Sequence, residues 1–255
     1  MIDIHCHILP GLDDGSKSIE ESLEMARIAI SEGISHIIAT PHHANGKYHN
    51  EALTVLNATV LLNQELQRHK LPLQVLTGQE IRVYNNLISD YDSNMLLTLH
   101  ISRYVLIEFP SHEIPKQMNE LIHELRMFQL TPVIAHPERN RQIMDKPDRL
   151  LDLIQLGALS QVTAHSLNGL FGSKVQHLSL QLCRSNLVHY IASDAHNVNP
   201  RSFGLAQAYQ KISQELGCEY RNYYMNNAYQ LLEGVNQLEA WEPERYKKKW
   251  FQLLR

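Results

Sequence analysis

Histidine and acidic side chains repeatedly stand where apolar runs of this chain stop. Met1-Ile-Asp-Ile-His5-Cys-His7 reads as a strand that closes on two histidines at positions i and i+2. Successive side chains alternate across a strand, so His5 and His7 project to one side and can grip one metal ion. The pattern recurs at His42, Glu80, Glu108, His136 and the Asp194/His196 pair, at or just past the ends of strand-like runs. His43 follows His42 directly and must point elsewhere, so at most it supports the set from behind. The loop Gly11-Leu-Asp-Asp-Gly15 offers Asp13 or Asp14 as a further ligand, against the plain alternative of an Asx turn.

The donor set mixes imidazole with carboxylate and lacks thiolate. That suits Mn²⁺, Fe²⁺, Co²⁺ or Zn²⁺ and argues against a structural zinc site. Eight or nine donors exceed the roughly four to six that one ion takes, so two or three ions sharing carboxylates are expected. Glu80 and Glu108, from neighbouring strands, are the expected bridges. Closely spaced ions activate water and stabilise the attacking and leaving oxygens of a phosphoryl transfer, so no Ser, Cys or phospho-acceptor Asp is required. Arg139, in His136-Pro-Glu-Arg-Asn140, and Arg201, just past Asp194-Ala-His196, are suited to bidentate recognition of phosphate oxygens. Arg82 and Arg141 are lesser candidates of the same kind.

Such a set must be gathered by a repeating architecture. Strand-like runs occur at Ile2–His5, His36–Thr40, Gln74–Thr77, Tyr104–Phe109, Pro132–Ala135, Ser160–Thr163 and Val188–Ser193. Several are continuously apolar, as parallel strands covered on both faces are. Helical patterns lie between them: one opened by a Ser18/Glu21 capping box and closed at Gly33, then Asn50–His69, Lys116–Gln129, Asp148–Leu156, Leu170–Asn186 and Ser202–Leu216. Alternating strands and helices predict an α/β fold, and seven βα units predict a distorted (β/α)7 TIM-like barrel. In a parallel barrel all strand C-termini face one mouth, which is how distant residues would meet. No linker divides the units, so residues 1–235 read as one catalytic domain, with a basic, aromatic tail over 236–255. The tail motif Glu244-Arg-Tyr-Lys-Lys-Lys-Trp-Phe-Gln-Leu-Leu-Arg255 suggests weak membrane-surface contact, against the alternative that Trp250 and Phe251 pack on the body.

Composition narrows the classes. Hydrophobic content of 44%, charged content of 20% and a net charge of −4 suit a globular protein and give no electrostatic case for nucleic acid. No apolar run is long enough for a transmembrane helix, and no signal-peptide architecture opens the chain. The three cysteines, Cys6, Cys183 and Cys218, are widely separated, which suggests a reducing compartment, and a cytoplasmic location is expected. Thiolate-dependent hydrolysis of phosphate esters needs Cys-x5-Arg, which sets the thiolate beneath a phosphate-binding loop. The residues six past the three cysteines are Leu12, His189 and Tyr224, which excludes that mechanism.

Asp3-Ile-His-Cys-His7, Ala39-Thr-Pro-His-His43, Gly78-Gln-Glu-Ile-Arg82, Ile107-Glu-Phe-Pro110, Ala135-His-Pro-Glu-Arg-Asn140 and Ser193-Asp-Ala-His-Asn197 resemble the PHP (polymerase and histidinol phosphatase) superfamily. More closely, they resemble its branch of bacterial manganese-dependent protein-tyrosine phosphatases of the CpsB/CapC type, from Met1 to about Asn227. The resemblance implies a trinuclear, usually manganese, site held by His5, His7, Asp14, His42, Glu80, Glu108, His136, Asp194 and His196. It also implies phosphate binding by Arg139 and Arg201. The substrate it implies is phosphotyrosine on a bacterial tyrosine kinase that controls capsule or exopolysaccharide synthesis. His42, His196 or a water would then protonate the leaving phenolate. The rival readings are a small-molecule phosphatase such as histidinol phosphatase, a nuclease, and a non-enzymatic metal-binding scaffold. The lack of a basic groove counts against the nuclease, and the complete ligand set counts against the scaffold. Oligomeric state is left open by the sequence.

Overall fold

A computed structural model describes residues 1–235 and 238–245 of the chain. The elements run β1 (Ile2–Cys6), α1 (Ile19–Ser31), β2 (His36–Ala39), β3 (His42–His43), α2 (Ala52–Arg68), β4 (Gln74–Thr77), β5 (Glu80–Arg82) and α3 (Leu87–Asp92). They continue with β6 (Tyr104–Glu108), α4 (Met118–Met127), β7 (Thr131–Ala135), a 3-10 turn (Pro137–Arg139), α5 (Arg141–Asp145) and α6 (Asp148–Gln155). The last are β8 (Leu159–Thr163), α7 (Ala164–Asn168), α8 (Ser173–Arg184), β9 (Tyr190–Ala192), α9 (Leu205–Glu215) and α10 (Cys218–Leu232). All seven expected strands are present. The second and third each continue as a short extra segment, β3 and β5, beyond an interruption at Thr40-Pro41 and at Gly78-Gln79.

The strands form an α/β fold of two sheets, ordered β1-β2-β4 and β3-β5-β6-β7-β8-β9, in which every pairing is parallel. Backbone hydrogen bonds also run from the first strand to the segment after the last: Asp194 N–H donates to His5 O at 2.9 Å and His7 N–H to Ala195 O at 2.8 Å.

Apolar side chains sort to the two faces of the strands. Ile4, Ile38, Leu76, Leu106, Val133, Leu159 and Tyr190 share one cluster with Ala228 and Leu231 of α10. Ile37, Val75, Ile107, Ile134, Val162 and Ile191 belong to a larger cluster that includes α1, α2, α4 and α9. Strands covered on both faces explain the continuous apolar runs.

The helices start where local chemistry allows. At α1 the Ser18 hydroxyl accepts from Glu21 N–H, and Glu21 reaches back to Lys17 N–H, one residue earlier than a strict capping box. The chain leaves α1 through Gly33 at φ 85°, a conformation that costs glycine little. Among the described residues no helix is long and apolar enough to cross a membrane. The tail motif from residue 246 onward, including Trp250 and Phe251, lies outside the described residues. Before it, Trp241 stacks on Tyr223 at 4.1 Å between ring centroids.

Candidate active site

The C-terminal ends of the strands meet at a cleft of about 210 Å³, whose lining includes His42, Glu80, Glu108, His136, Asp194 and His196. Backbone irregularities aim the side chains there. In β1 an extra residue stands between Asp3, opposite Ile37, and Cys6, opposite Ala39. Such a bulge breaks strict alternation and re-aims the side chains beside it. Ile4 therefore packs with one core cluster while His5 and His7 meet at the mouth, 3.2 Å apart through their Nε2 atoms. His136 and Asp194 have left-handed backbones, φ 35° and 56°, which cost non-glycine residues about 1–3 kcal/mol each and cluster at functional sites.

Donor atoms gather into three groups, each within a few ångströms: His7, Asp14, His42 and His196; His5, His7, Glu80 and Asp194; and His42, Glu80 and Glu108. Glu80 is the hub. Its Oε2 lies 3.3 Å from both His5 and His7 Nε2 and 3.0 Å from His42 Nδ1, and its Oε1 lies 2.7 Å from His136 Nε2. Glu108 enters one group and is tied to Arg82, whose Nη2 lies 2.9 Å from its Oε2. Asp14, with its side chain 47% exposed, is the outermost member, 3.4 Å from His42 and 3.6 Å from His196. All nine candidate ligands are thus brought together. His43 faces away, with its Nδ1 bonded to Asn50 O.

This donor chemistry fits divalent cations. His196 Nε2 is buried without a hydrogen-bond partner, and His42 Nδ1 and Glu80 Oε2 face each other at 3.0 Å without hydrogen-bond geometry, an arrangement that polar atoms rarely tolerate unless something else satisfies them. Burial disfavours charge on Glu80 and Asp194, yet His5 beside the first and Arg139 beside the second hold both well below the usual carboxylate range. Burial and Arg139 push His136 down to about 4, which keeps it neutral. Burial and the neighbouring Glu80 lift Glu108 to about 7. Burial works against charge on His5 and His7, but Glu80 and Asp194 at the first, and Asp13 at the second, outweigh it and raise them. Bound cations would displace those protons.

Arg139 and Arg201 converge on one oxygen, Asp194 Oδ2, at 2.8 and 2.9 Å. The Phe171 ring supports Arg139 at 5.2 Å. Both guanidiniums line the cleft, whereas the Arg141 side chain is exposed outside it.

Several further residues support the ligands, and one of them, Asp13, was offered by the sequence as an alternative ligand to Asp14. Asp13 is the buried partner of His7 Nδ1, at 2.6 Å, and also accepts from His42 and Gly15 N–H. Gln161 Oε1 lies 2.9 Å from His5 Nδ1, which turns Nε2 of His5 toward the cluster. Glu138 Oε1 accepts from Thr163 N–H, Thr163 Oγ1 and Ser166 Oγ, which anchors the turn carrying Arg139. Asp3 accepts from both the backbone and the hydroxyl of Ser193, tying β1 to the segment that carries Asp194. Asp13 was legible only as one of two adjacent acids, and the others carry no spacing signal.

The sequence matches the model of the family described as capsular polysaccharide synthesis, CpsB/CapC, over residues 1–233. It is 47% identical over 232 residues to the tyrosine-protein phosphatase YwqE of Bacillus subtilis, covering 91% of each chain. It is 42% identical over 255 residues to the putative tyrosine-protein phosphatase CapC of Staphylococcus aureus, covering the whole of both. Among solved structures, a chain from the work on YwqE of Bacillus subtilis and CpsB of Streptococcus pneumoniae, described as unique metal-dependent tyrosine phosphatases, superposes with a TM-score of 0.94. That match has 44% identity and covers 97% of this chain and 100% of the other.

Proposed function

Since this chain belongs to the CpsB/CapC family, we propose that it is a metal-dependent protein-tyrosine phosphatase acting in capsular or exopolysaccharide synthesis. Its substrate is phosphotyrosine on a bacterial tyrosine kinase, met in the cytoplasm. The observation that carries this reading is the convergence of nine imidazole and carboxylate side chains with two arginines at one cleft.

The scaffold of this proposal is a distorted barrel of seven βα units forming one catalytic domain over residues 1–235. Taking β2 with β3 and β4 with β5 as interrupted single strands supports it, as do the hydrogen bonds joining β1 to residues 194–195. The cluster to which β1, β2, β4, β6, β7, β8 and β9 all contribute is then the barrel interior.

Two or three Mn²⁺ ions, for which Fe, Co or Zn are substitutes, would be held by His5, His7, Asp14, His42, Glu80, Glu108, His136, Asp194 and His196. Divalent ions there supply Lewis-acid activation of water near neutral pH and offset the charge on the phosphoryl group. Arg139 and Arg201 turn from Asp194 toward phosphate oxygens and orient the ester. His42, His196 or a water at the wall of the cleft would pass a proton to the departing phenolate oxygen. A phenol has a pKa of about 10, so modest proton assistance suffices, and an aryl ester suits this site better than an alkyl one.

Turnover of a phosphotyrosyl peptide and of histidinol phosphate, before and after EDTA and after Mn²⁺ is restored, tests the assignment. The expected result is preference for the peptide, loss with EDTA and recovery with Mn²⁺. Preference for histidinol phosphate would move the chain to the small-molecule branch, and full activity in the stripped protein would contradict the mechanism.

A further inference from the structure

Helix α2 is apolar on two opposite faces, and only one of them is covered. Val55, Leu62 and Leu66 are buried, and Asn63 between them bonds the backbone of Val75 in β4. On the other side Leu53, Leu56, Val60 and Leu61 are 68%, 40%, 55% and 61% exposed. At 3.6 residues per turn these four span an arc of roughly 140°, centred nearly opposite the buried set. A surface helix ordinarily carries polar residues there. Contiguous exposed aliphatic side chains mark an interaction face, whereas single ones do not.

The ends of the stripe carry opposite charge. Glu51 is exposed just before the helix, and Arg68, His69 and Lys70 are exposed at and just beyond its end. An acidic end, an apolar centre and a basic end form a pattern that matches itself when the helix meets a copy running the other way. That is the condition for an isologous two-fold contact, in which one patch serves both partners. Antiparallel helices also oppose their dipoles favourably.

We propose that the outer face of α2 joins two copies of this chain in a two-fold dimer. A register that pairs Leu56 with Leu61 of the second copy sets Asn57 beside Val60 and Leu53 beside Gln64. Glu51 then lies opposite position 66, two residues or about 3 Å along the axis from Arg68. Arg68 already pairs with Glu65 at 2.8 Å, but an exposed pair of this kind contributes little and leaves the guanidinium available. The stripe is one helix wide, less than the roughly 800 Å² per partner of a standard interface, so association depends on concentration.

Sedimentation velocity of the full chain over a dilution series tests this. The mass is expected to rise from the 29.4 kDa of one chain toward twice that value as concentration increases. Leu53→Glu together with Val60→Glu should hold the chain at monomer mass with phosphotyrosyl hydrolysis unchanged. Glu51→Arg or Arg68→Glu alone should weaken association several-fold, and the two together should restore it. A monomer at every concentration, or a dimer that survives Leu53→Glu with Val60→Glu, overturns the proposal. So does flotation with phosphatidylserine vesicles, abolished by the same pair of substitutions, in place of self-association.

Discussion

Replacing Asp13 by asparagine removes one charge and one acceptor from behind the ligands. Three N–H groups now donate to its two oxygens: His7 Nδ1 at 2.6 Å and His42 N at 2.9 Å to Oδ2, and Gly15 N at 2.9 Å to Oδ1. Asparagine has one carbonyl oxygen, so in either orientation its NH₂ group confronts a donor. The side chain is nearly inaccessible to water, which therefore cannot repair the mismatch. Losing a hydrogen bond to a charged group costs about 1.5–3 kcal/mol. Removing the carboxylate behind a metal-ligating histidine typically weakens metal binding by about 10–100-fold, or roughly 1.4–2.8 kcal/mol. The two routes agree. Calorimetric titration of Mn²⁺ into EDTA-stripped Asp13→Asn protein should show that weakening while the thermal melt stays cooperative. Wild-type affinity in Asp13→Asn, alongside loss of binding in His7→Ala, would refute the reasoning.

Arg139→Ala should mainly raise KM for phosphotyrosyl peptide, by roughly 10–100-fold if one charged contact to phosphate is lost, and an unchanged KM would contradict its role. A Cβ added at Gly15 would lie 2.1 Å from His7 O and 2.5 Å from His7 Cβ, so Gly15→Ala should displace His7. Weakened Mn²⁺ binding and a lowered melting temperature are the readouts. His189 is buried, with Ser160 N–H donating to its Nδ1, and burial pushes its pKa down to about 3. The unfolded imidazole takes a proton below about pH 6.5 while the folded one stays neutral, so stability falls as pH drops from there toward 3. At pH 5 the loss is about 2 kcal/mol. Urea unfolding at pH 7 and 5 should show this extra loss in the wild type and not in His189→Asn, and equal losses in both would contradict it.

The strand ends were legible because a parallel strand covered on both faces is apolar until it stops, so a ligand-type residue stands out there. His5, His7, His42, Glu80, Glu108, His136, Asp194 and His196 all announced themselves this way. Asp14 did not, because it sits in an exposed loop where an Asx turn would look the same. Asp13, whose carboxylate bonds His7 from behind the cluster, was indistinguishable from it. The short segments past Pro41 and Gly78 were also hidden, since His42–His43 and Glu80–Arg82 span only two and three residues and carry no apolar run. Among helices, α3, α5 and α7 span six, five and five residues, too short for a periodic signal, and their starts depend on tertiary contacts. Helix α10 is long but buries only Tyr224, Asn227, Ala228 and Leu231 among many tyrosines and asparagines, which blurs its stripe.

Anomalous diffraction at the manganese edge, from crystals grown with abundant Mn²⁺, tests the central claim most directly. Two or three peaks are expected among the Glu80 carboxylate and its surrounding imidazoles, with Arg139 and Arg201 at the rim. Their absence from that position, or peaks only elsewhere on the molecule, would contradict the account.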